Sequence, residues 1–181
     1  KNLSQYVALN YTDISGVTLG GSVFTGKSSR SSTEAVLPEQ RATLYEAHAR
    51  WTPGKWDLSA LYARGTFSNT AAANQLNPGA ANPMPAAFYG WFMQAAYNVW
   101  QKGDYRLAPF VRYERYNMGA KYEGLAPGFT SPAGWPSMSD TVYTIGANFY
   151  LNPNVVFKID YQRFTQNRDF SRVDLGLGVS F

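Results

Sequence analysis

Residues 170–181 read FSRVDLGLGVSF, and within them Val173, Leu175, Leu177, Val179 and Phe181 alternate strictly with Arg172, Asp174, Gly176, Gly178 and Ser180. Period two is the signature of a β-strand, whose successive side chains point to opposite sides. One face of this strand is greasy, and the other is polar or bare.

A strand that ends on an aromatic residue, with an apolar residue at every second position before it, resembles the C-terminal assembly signal of bacterial outer-membrane β-barrel proteins. The resemblance implies that Val173, Leu175, Leu177, Val179 and Phe181 face lipid, that the opposite face lines a lumen, and that the barrel assembly machinery is a partner.

The composition agrees. The chain has 181 residues and is 45% hydrophobic, yet no run approaches the roughly 20 apolar residues of a membrane-spanning helix. A helical membrane protein is excluded. Aromatic residues make up 16%, with 13 Tyr, 11 Phe and 5 Trp, which suits the interfacial girdles of a transmembrane barrel as well as ordinary sheet cores. There is no cysteine, so disulfides and thiolate metal sites are out of reach. The net charge of +4 is spread along the chain and gives no sign of a nucleic-acid partner. No signal peptide opens the sequence, which carries no information, since an exported protein would have lost it.

Alternation predicts strands at about residues 3–12, 17–27, 41–52, 55–67, 87–100, 104–117, 140–151, 154–165 and 170–181. Nothing predicts a helix. Lengths of about 10 to 14 residues exceed the globular mode of about 5 to 6 and match tilted membrane-spanning strands. The connections alternate in kind. Tight turns are predicted at Asp13 to Gly16, Pro53-Gly54, Lys102 to Asp104 and Asn152 to Asn154, and long or polar loops at Lys27 to Gln40, Asn69 to Ala86, Gly119 to Asp140 and Gln166 to Asp169. Short turns at one end and long loops at the other is the asymmetry of outer-membrane barrels. The fold expected is an all-β, transmembrane, antiparallel up-and-down β-barrel in the bacterial outer membrane, with residues 1–181 in a single domain.

The faces follow from the same alternation. Tyr105, Leu107, Pro109, Val111 and Tyr113 form one lipid-facing stripe; Trp56, Leu58, Ala60 and Tyr62 form another, and Val155, Phe157, Ile159 and Tyr161 a third. From Tyr105 to Tyr113 the rise is roughly 26 Å along the strand, or about 20 Å along the membrane normal at a tilt near 40°. Trp51, Trp56, Tyr97, Tyr105 and Phe149 are candidates for a girdle at the turn end. Tyr62, Tyr89, Trp91, Tyr113, Tyr143 and Tyr161 are candidates at the loop end. Pro109 in mid-strand removes a ladder donor and predicts a bulge or locally open pairing.

Three strands end alike, in Tyr62-Ala63-Arg64, Tyr113-Glu114-Arg115 and Tyr161-Gln162-Arg163, and Lys27 ends another on the same face. A cation above an aromatic girdle can pair with the phosphates of outer-leaflet lipid or lipopolysaccharide, or simply snorkel to water. Lys27, Arg64, Arg115 and Arg163 are therefore the candidate lipid contacts.

On the lumen side the pore-lining candidates are Glu46, His48, Arg50, Arg106, Arg112, Glu114, Lys158, Asp160, Arg172 and Asp174, with Asp57 beside them. Apart from His48 the wall is balanced in sign. Such a wall can form cross-strand salt bridges that stiffen the barrel, or segregate its cations into a track that draws anions through water. The loops Ser68 to Ala86 and Gly119 to Met138 are long enough to fold inward, to cap the mouth, or to mediate subunit contacts. A hydrolase would need the one histidine, His48, with Glu46 on the same face and a serine from a facing strand; no hydrolase motif surrounds it, and no enzymatic activity is expected. No spacing suits a metal or a phosphate cradle, and no cofactor is expected.

The segments FYGWFMQAAYNVW, DYRLAPFVRYERYN, TIGANFYLNPNVVFKIDYQRF and VDLGLGVSF are similar to the C-terminal hairpins of large bacterial porins, in particular the phosphate-selective O and P type. The similarity covers about the last 100 residues best, and the turn around Asn152-Pro153-Asn154 is its most specific part. It implies a 16-stranded, generally trimeric channel of a Gram-negative outer membrane, passing small anions or other solutes by passive diffusion. No stretch matches that family's lysine-rich constriction. Strand parity adds an expectation: counting back from a periplasmic C-terminus puts residue 1 outside, so about nine strands suggest the C-terminal part of a larger barrel. The alternative is a small, closed, eight-stranded barrel with a structural, lipid-binding or partner-binding role.

Overall fold

In a computed structural model of the chain, the described residues are 3–28, 39–130, 132 and 135–180. They form one antiparallel sheet of ten strands: β1 (Gln5–Tyr11), β2 (Val17–Lys27), β3 (Arg41–Trp51), β4 (Trp56–Phe67), β5 (Pro85–Tyr97), β6 (Trp100–Lys102), β7 (Tyr105–Tyr122), β8 (Ser139–Asn152), β9 (Val155–Phe164) and β10 (Arg172–Val179). Each long strand pairs with its sequence neighbours, and β6 is a short extension that pairs with β7. The order is up-and-down throughout. Among the described residues the sheet is open, with β1 and β10 each paired on one side. Phe181 lies outside the described residues, as does most of the connection after Lys27.

The nine predicted strands are all present, and the turns between them are tight. Val17 N donates to Ile14 O at 2.9 Å and Trp56 N to Pro53 O at 3.1 Å. Gly54 (φ 61°) and Gly103 (φ 59°) supply the left-handed residue that these hairpins need. At the other end the structure departs from expectation. A helix, α1 (Thr70–Leu76), forms in a stretch predicted as loop, and a 3-10 turn spans Arg168–Phe170. Three consecutive alanines give α1 its local preference. Asn74 then anchors it: its Nδ2 donates to the carbonyls of Met84 (3.0 Å) and Glu123 (2.8 Å), and its Oδ1 accepts from Met84 N (2.8 Å). β7 also runs five residues beyond its predicted end, pairing with β5 through two register shifts.

Pro109 sits at a bulge, as its missing N–H demands. Ala96 lies opposite Phe110 and Trp100 opposite Leu107, so four residue steps on the β5 side match three on β7. On the other side, pairing with β8 continues unbroken through Pro109 and Ala147.

The register fixes which residues share a face, and exposure distinguishes the two faces. Leu9, Ile145 and Leu175 on one face are 76%, 63% and 79% exposed, whereas Phe110, Ala108 and Asp160 on the other are 3%, 7% and 3% exposed. The apolar side chains therefore face outward from the sheet. That is the reverse of a water-soluble barrel and the rule for one set in lipid. Every residue foreseen for the two girdles lies on this face, and the belts are knit by ring contacts: Trp56 to Tyr97 (4.8 Å) and Tyr105 to Phe149 (6.3 Å) at the turn end, Trp91 to Tyr113 and Tyr113 to Tyr143 (both 5.3 Å) at the loop end.

Candidate functional site: the charged wall

The face opposite the girdles carries Glu46, His48, Arg50, Asp57, Arg106, Arg112, Glu114, Lys158, Asp160, Arg172 and Asp174, all brought to one side by the register. Balance is achieved locally. Lys158 Nζ lies 3.1 Å from Asp160, Arg172 Nε 3.0 Å from Asp174, Arg112 Nη1 3.8 Å from Glu114, and His48 Nδ1 2.6 Å from Glu46.

These four pairs join residues i and i+2 of one strand, where cross-strand bridges were one of the expectations. The reason is geometric: same-face residues on a strand stand roughly 7 Å apart, within reach of a long basic side chain. Among the described residues of the wall only Arg50 forms an ion pair with a neighbouring strand, its Nε and Nη2 gripping Asp57 of β4 at 2.8 and 2.6 Å. A cation track segregated from the acids is therefore not what this wall presents.

Aromatic rings and amides complete the wall. Arg112 stacks over Phe92 (4.4 Å) and donates to Gln94 (3.1 Å). Lys158 sits over Phe110 (5.1 Å) and Arg172 over Phe164 (5.7 Å). Gln162 donates to both Asp160 (3.2 Å) and Asp174 (2.9 Å), linking β9 to β10. Ser22 Oγ donates to Glu46 (3.1 Å), so the serine facing this pair is bonded to the carboxylate instead of the imidazole. A nucleophilic serine needs the reverse arrangement.

One cation differs from the rest. Arg106 stacks on Tyr150 with its Cζ 3.9 Å from the ring centre, and among the described residues no carboxylate lies within 4 Å of it. It opens onto a concavity of about 220 Å3 at the turn end, also lined by Arg50, Lys55, Asp57, Asn148 and Tyr150. With Arg50 neutralised by Asp57, Lys55 and Arg106 leave this hollow positive.

Two further comparisons bear on what such a wall does. A family model described as phosphate-selective porin O and P matches residues 15–174. The chain belongs to this porin family. No curated protein matches it. The porin match reaches well beyond the last 100 residues in which the sequence similarity was most visible, and takes in β2 to β9 whole. It supports a porin-type outer-membrane channel, a channel family being distinct from an enzyme family.

All ten pore-lining candidates of this porin share the charged face, but they lie at different depths. Arg106 is near the turn end and Arg172 near the loop end. Lys55, Asn148 and Tyr150, which complete the positive hollow, were missed. Lys55 follows a turn glycine, and only the β7 to β8 register puts Tyr150 opposite Arg106.

On the outer face Arg64, Arg115 and Arg163 are exposed, and among the described residues none has a carboxylate within 4 Å. Lys27 is different, since it pairs with Glu39, and that contact holds the Glu39 carboxyl below its ordinary pKa. Arg41, opposite Lys27 in the register, is a basic residue of the same end that sequence reading passed over.

Proposed function

We propose that this porin lines a water-filled pore through which small hydrophilic solutes pass by passive diffusion, with anions favoured over cations. The observation that carries the reading is the separation of the two faces. The wall's ion pairs and amides gather on one side of the sheet, the opposite side is an apolar band bounded by aromatic belts with basic residues at its loop end, and Arg106, which among the described residues has no carboxylate within 4 Å, shares its hollow with Lys55. A positive field raises the local concentration of anions. The lysine and arginine ion pairs of the wall offset one another, so the preference is set by few residues. The porin acts without catalysis, assembles as a homotrimer in a Gram-negative outer membrane, and is inserted by recognition of the β10 strand.

Reversal potential across a planar bilayer in a salt gradient tests this. The expected sign is that of an anion-preferring channel, and Arg106→Glu is expected to move it toward cations by more than Arg172→Gln does, because Arg172 already has a carboxylate. A protein that inserts but carries no current, or an Arg106→Glu channel with unchanged reversal potential, would sink the proposal.

A further inference from the structure

Arg64, Arg115 and Arg163, which among the described residues have no carboxylate within 4 Å, fall on one slope across the strands. Arg64 lies opposite Tyr45, four residues along from Arg41, which itself faces Lys27. Arg115 connects through Trp91 to Tyr62, two residues from Arg64. Arg163 connects through Tyr143 to Tyr113, two residues from Arg115. From β2 to β9 the basic residues shift eight residues in six strand-to-strand steps, or about 1.3 per step. At a rise of ~3.3 Å and a strand spacing of ~4.8 Å, that slope corresponds to a tilt of about 42°, inside the range of transmembrane barrels. At that tilt the arginines lie in one plane parallel to the membrane, on every second strand and roughly 13 Å apart.

A trough leads up to that plane. It has a volume of about 1010 Å3, is lined mainly by outer-face residues with Arg50, Ser59, Gln94, Arg112 and Thr144 of the opposite face between them, and follows the hydrogen-bonding direction across the strands. One register row forms its length, from Ala49 through Ala60, Met93, Tyr113 and Tyr143 to Arg163. The neighbouring row, from Trp51 to Tyr161, supplies the other edge, with Ala95 at its middle. Three alanines make the floor low. The row is about 24 Å long over five strand spacings, and because it runs across tilted strands it climbs about 16 Å toward the loop end. Its upper end is Arg163.

We propose that this trough and Arg163 bind one phosphorylated lipid: an acyl chain lies along the alanine floor, and the headgroup phosphate pairs with Arg163, with Arg115 next in the same plane for a second phosphate. Arg suits this task because its planar fork meets two phosphate oxygens at once, and the rings of Tyr113, Tyr143 and Tyr161 hold the chain at its exit. The inference rests on the outer-membrane reading above, since the trough meets lipid only if the apolar face does.

The test uses the whole protein folded in a neutral detergent and offered equal amounts of phosphatidic acid and the diacylglycerol with the same chains, which differ by the phosphate alone. Native mass spectrometry counts the lipid retained per protein. Phosphatidic acid is expected to be retained about fivefold better; Arg163→Gln is expected to abolish that preference and Arg163→Lys to keep part of it. Ala60→Phe, which fills the floor with an apolar group that a lipid-facing wall tolerates, is expected to reduce retention of both lipids. Equal retention of the two would overturn the site. So would displacement of phosphatidic acid by millimolar inorganic phosphate, which would make this an anion site with no role for the chain. A mass showing Ala60→Phe to disrupt an oligomer while leaving lipid retention unchanged would assign the trough to a second copy. Conductance of the same sample keeps the two proposals apart: a conducting protein without phosphate preference loses the lipid site alone, and a non-conducting one that retains the preference loses the pore alone.

Discussion

Arg50, Arg112 and Arg172 on the inner face and Arg64, Arg115 and Arg163 on the outer face are the same residue type on one sheet, yet their surroundings are opposite. These three inner arginines each have a carboxylate within 4 Å, and Arg106 is the inner one that among the described residues has none. Among the described residues no outer arginine has one. Inner arginines stand against a lumen where an unpaired charge would attract counter-ions from water, and pairing three of them within the wall leaves Arg106 to act on the solute path. Outer arginines stand at the edge of lipid, where the anions that can neutralise them belong to the membrane. Pairing therefore records which solvent each face was built for.

The strongest way to break this comparison is to place a new charge on each side of one strand at mid-depth. Ala60 and Leu61 are sequence neighbours on opposite faces of β4, paired with Ala49 and His48 respectively. Ala60→Arg is expected to lower the unfolding free energy in vesicles by about 2–4 kcal/mol, the cost of a cation at the bilayer midplane. Leu61→Arg, directed at the polar wall, is expected to cost well below that. Equal costs would mean that the faces are wrongly assigned.

Packing gives a smaller effect confined to the inner face. A Cβ at Gly146 would lie 2.5 Å from the carbonyl of Ile159, 2.6 Å from the Asp160 Cβ and 2.7 Å from the Phe110 ring, and the backbone among these cannot yield. At Gly176, on the same face, the nearest atom would be the Lys158 Cβ at 3.8 Å. Gly146→Ala is expected to cost about 1–3 kcal/mol through overpacking, and Gly176→Ala close to nothing. Similar values for both would show the wall between β7 and β9 to be looser than its buried Phe110 and Asp160 indicate.

Strand positions and faces were legible in the sequence because period-two alternation is a local property: each strand such as β9 or β10 declares its own greasy side. Turns were legible for the same reason, through Gly54 and Gly103. What escaped was whatever depends on register. Nothing in the order of residues says that Tyr150 sits beneath Arg106, or that Ala49, Ala60 and Ala95 line up as a floor, because those neighbours lie tens of residues apart. Helix α1 escaped differently. Its alanines favour a helix, but seven residues do not sustain one alone, and the anchor is the long-range bonding of Asn74 to Met84 and Glu123.

The gentlest test converts an inner arginine into the outer kind. Asp57→Asn keeps the shape of the partner but removes its charge, leaving Arg50 beside Lys55 and Arg106 with no acid to offset them. Arg50 and Asp57 are 59% and 35% exposed, so the ion pair is well screened and its loss is expected to change stability by no more than about 1 kcal/mol. The effect belongs in selectivity: the hollow gains a positive charge, and the reversal potential is expected to move further toward anions, opposite in sign to Arg106→Glu. Should stability fall by several kcal/mol while selectivity stays put, the pair would be a structural clamp, and pairing on the inner face would reflect the needs of the sheet and not those of the solute path. A shift in potential at constant stability would instead show that this porin sets its preference by which lumen cations it leaves uncovered.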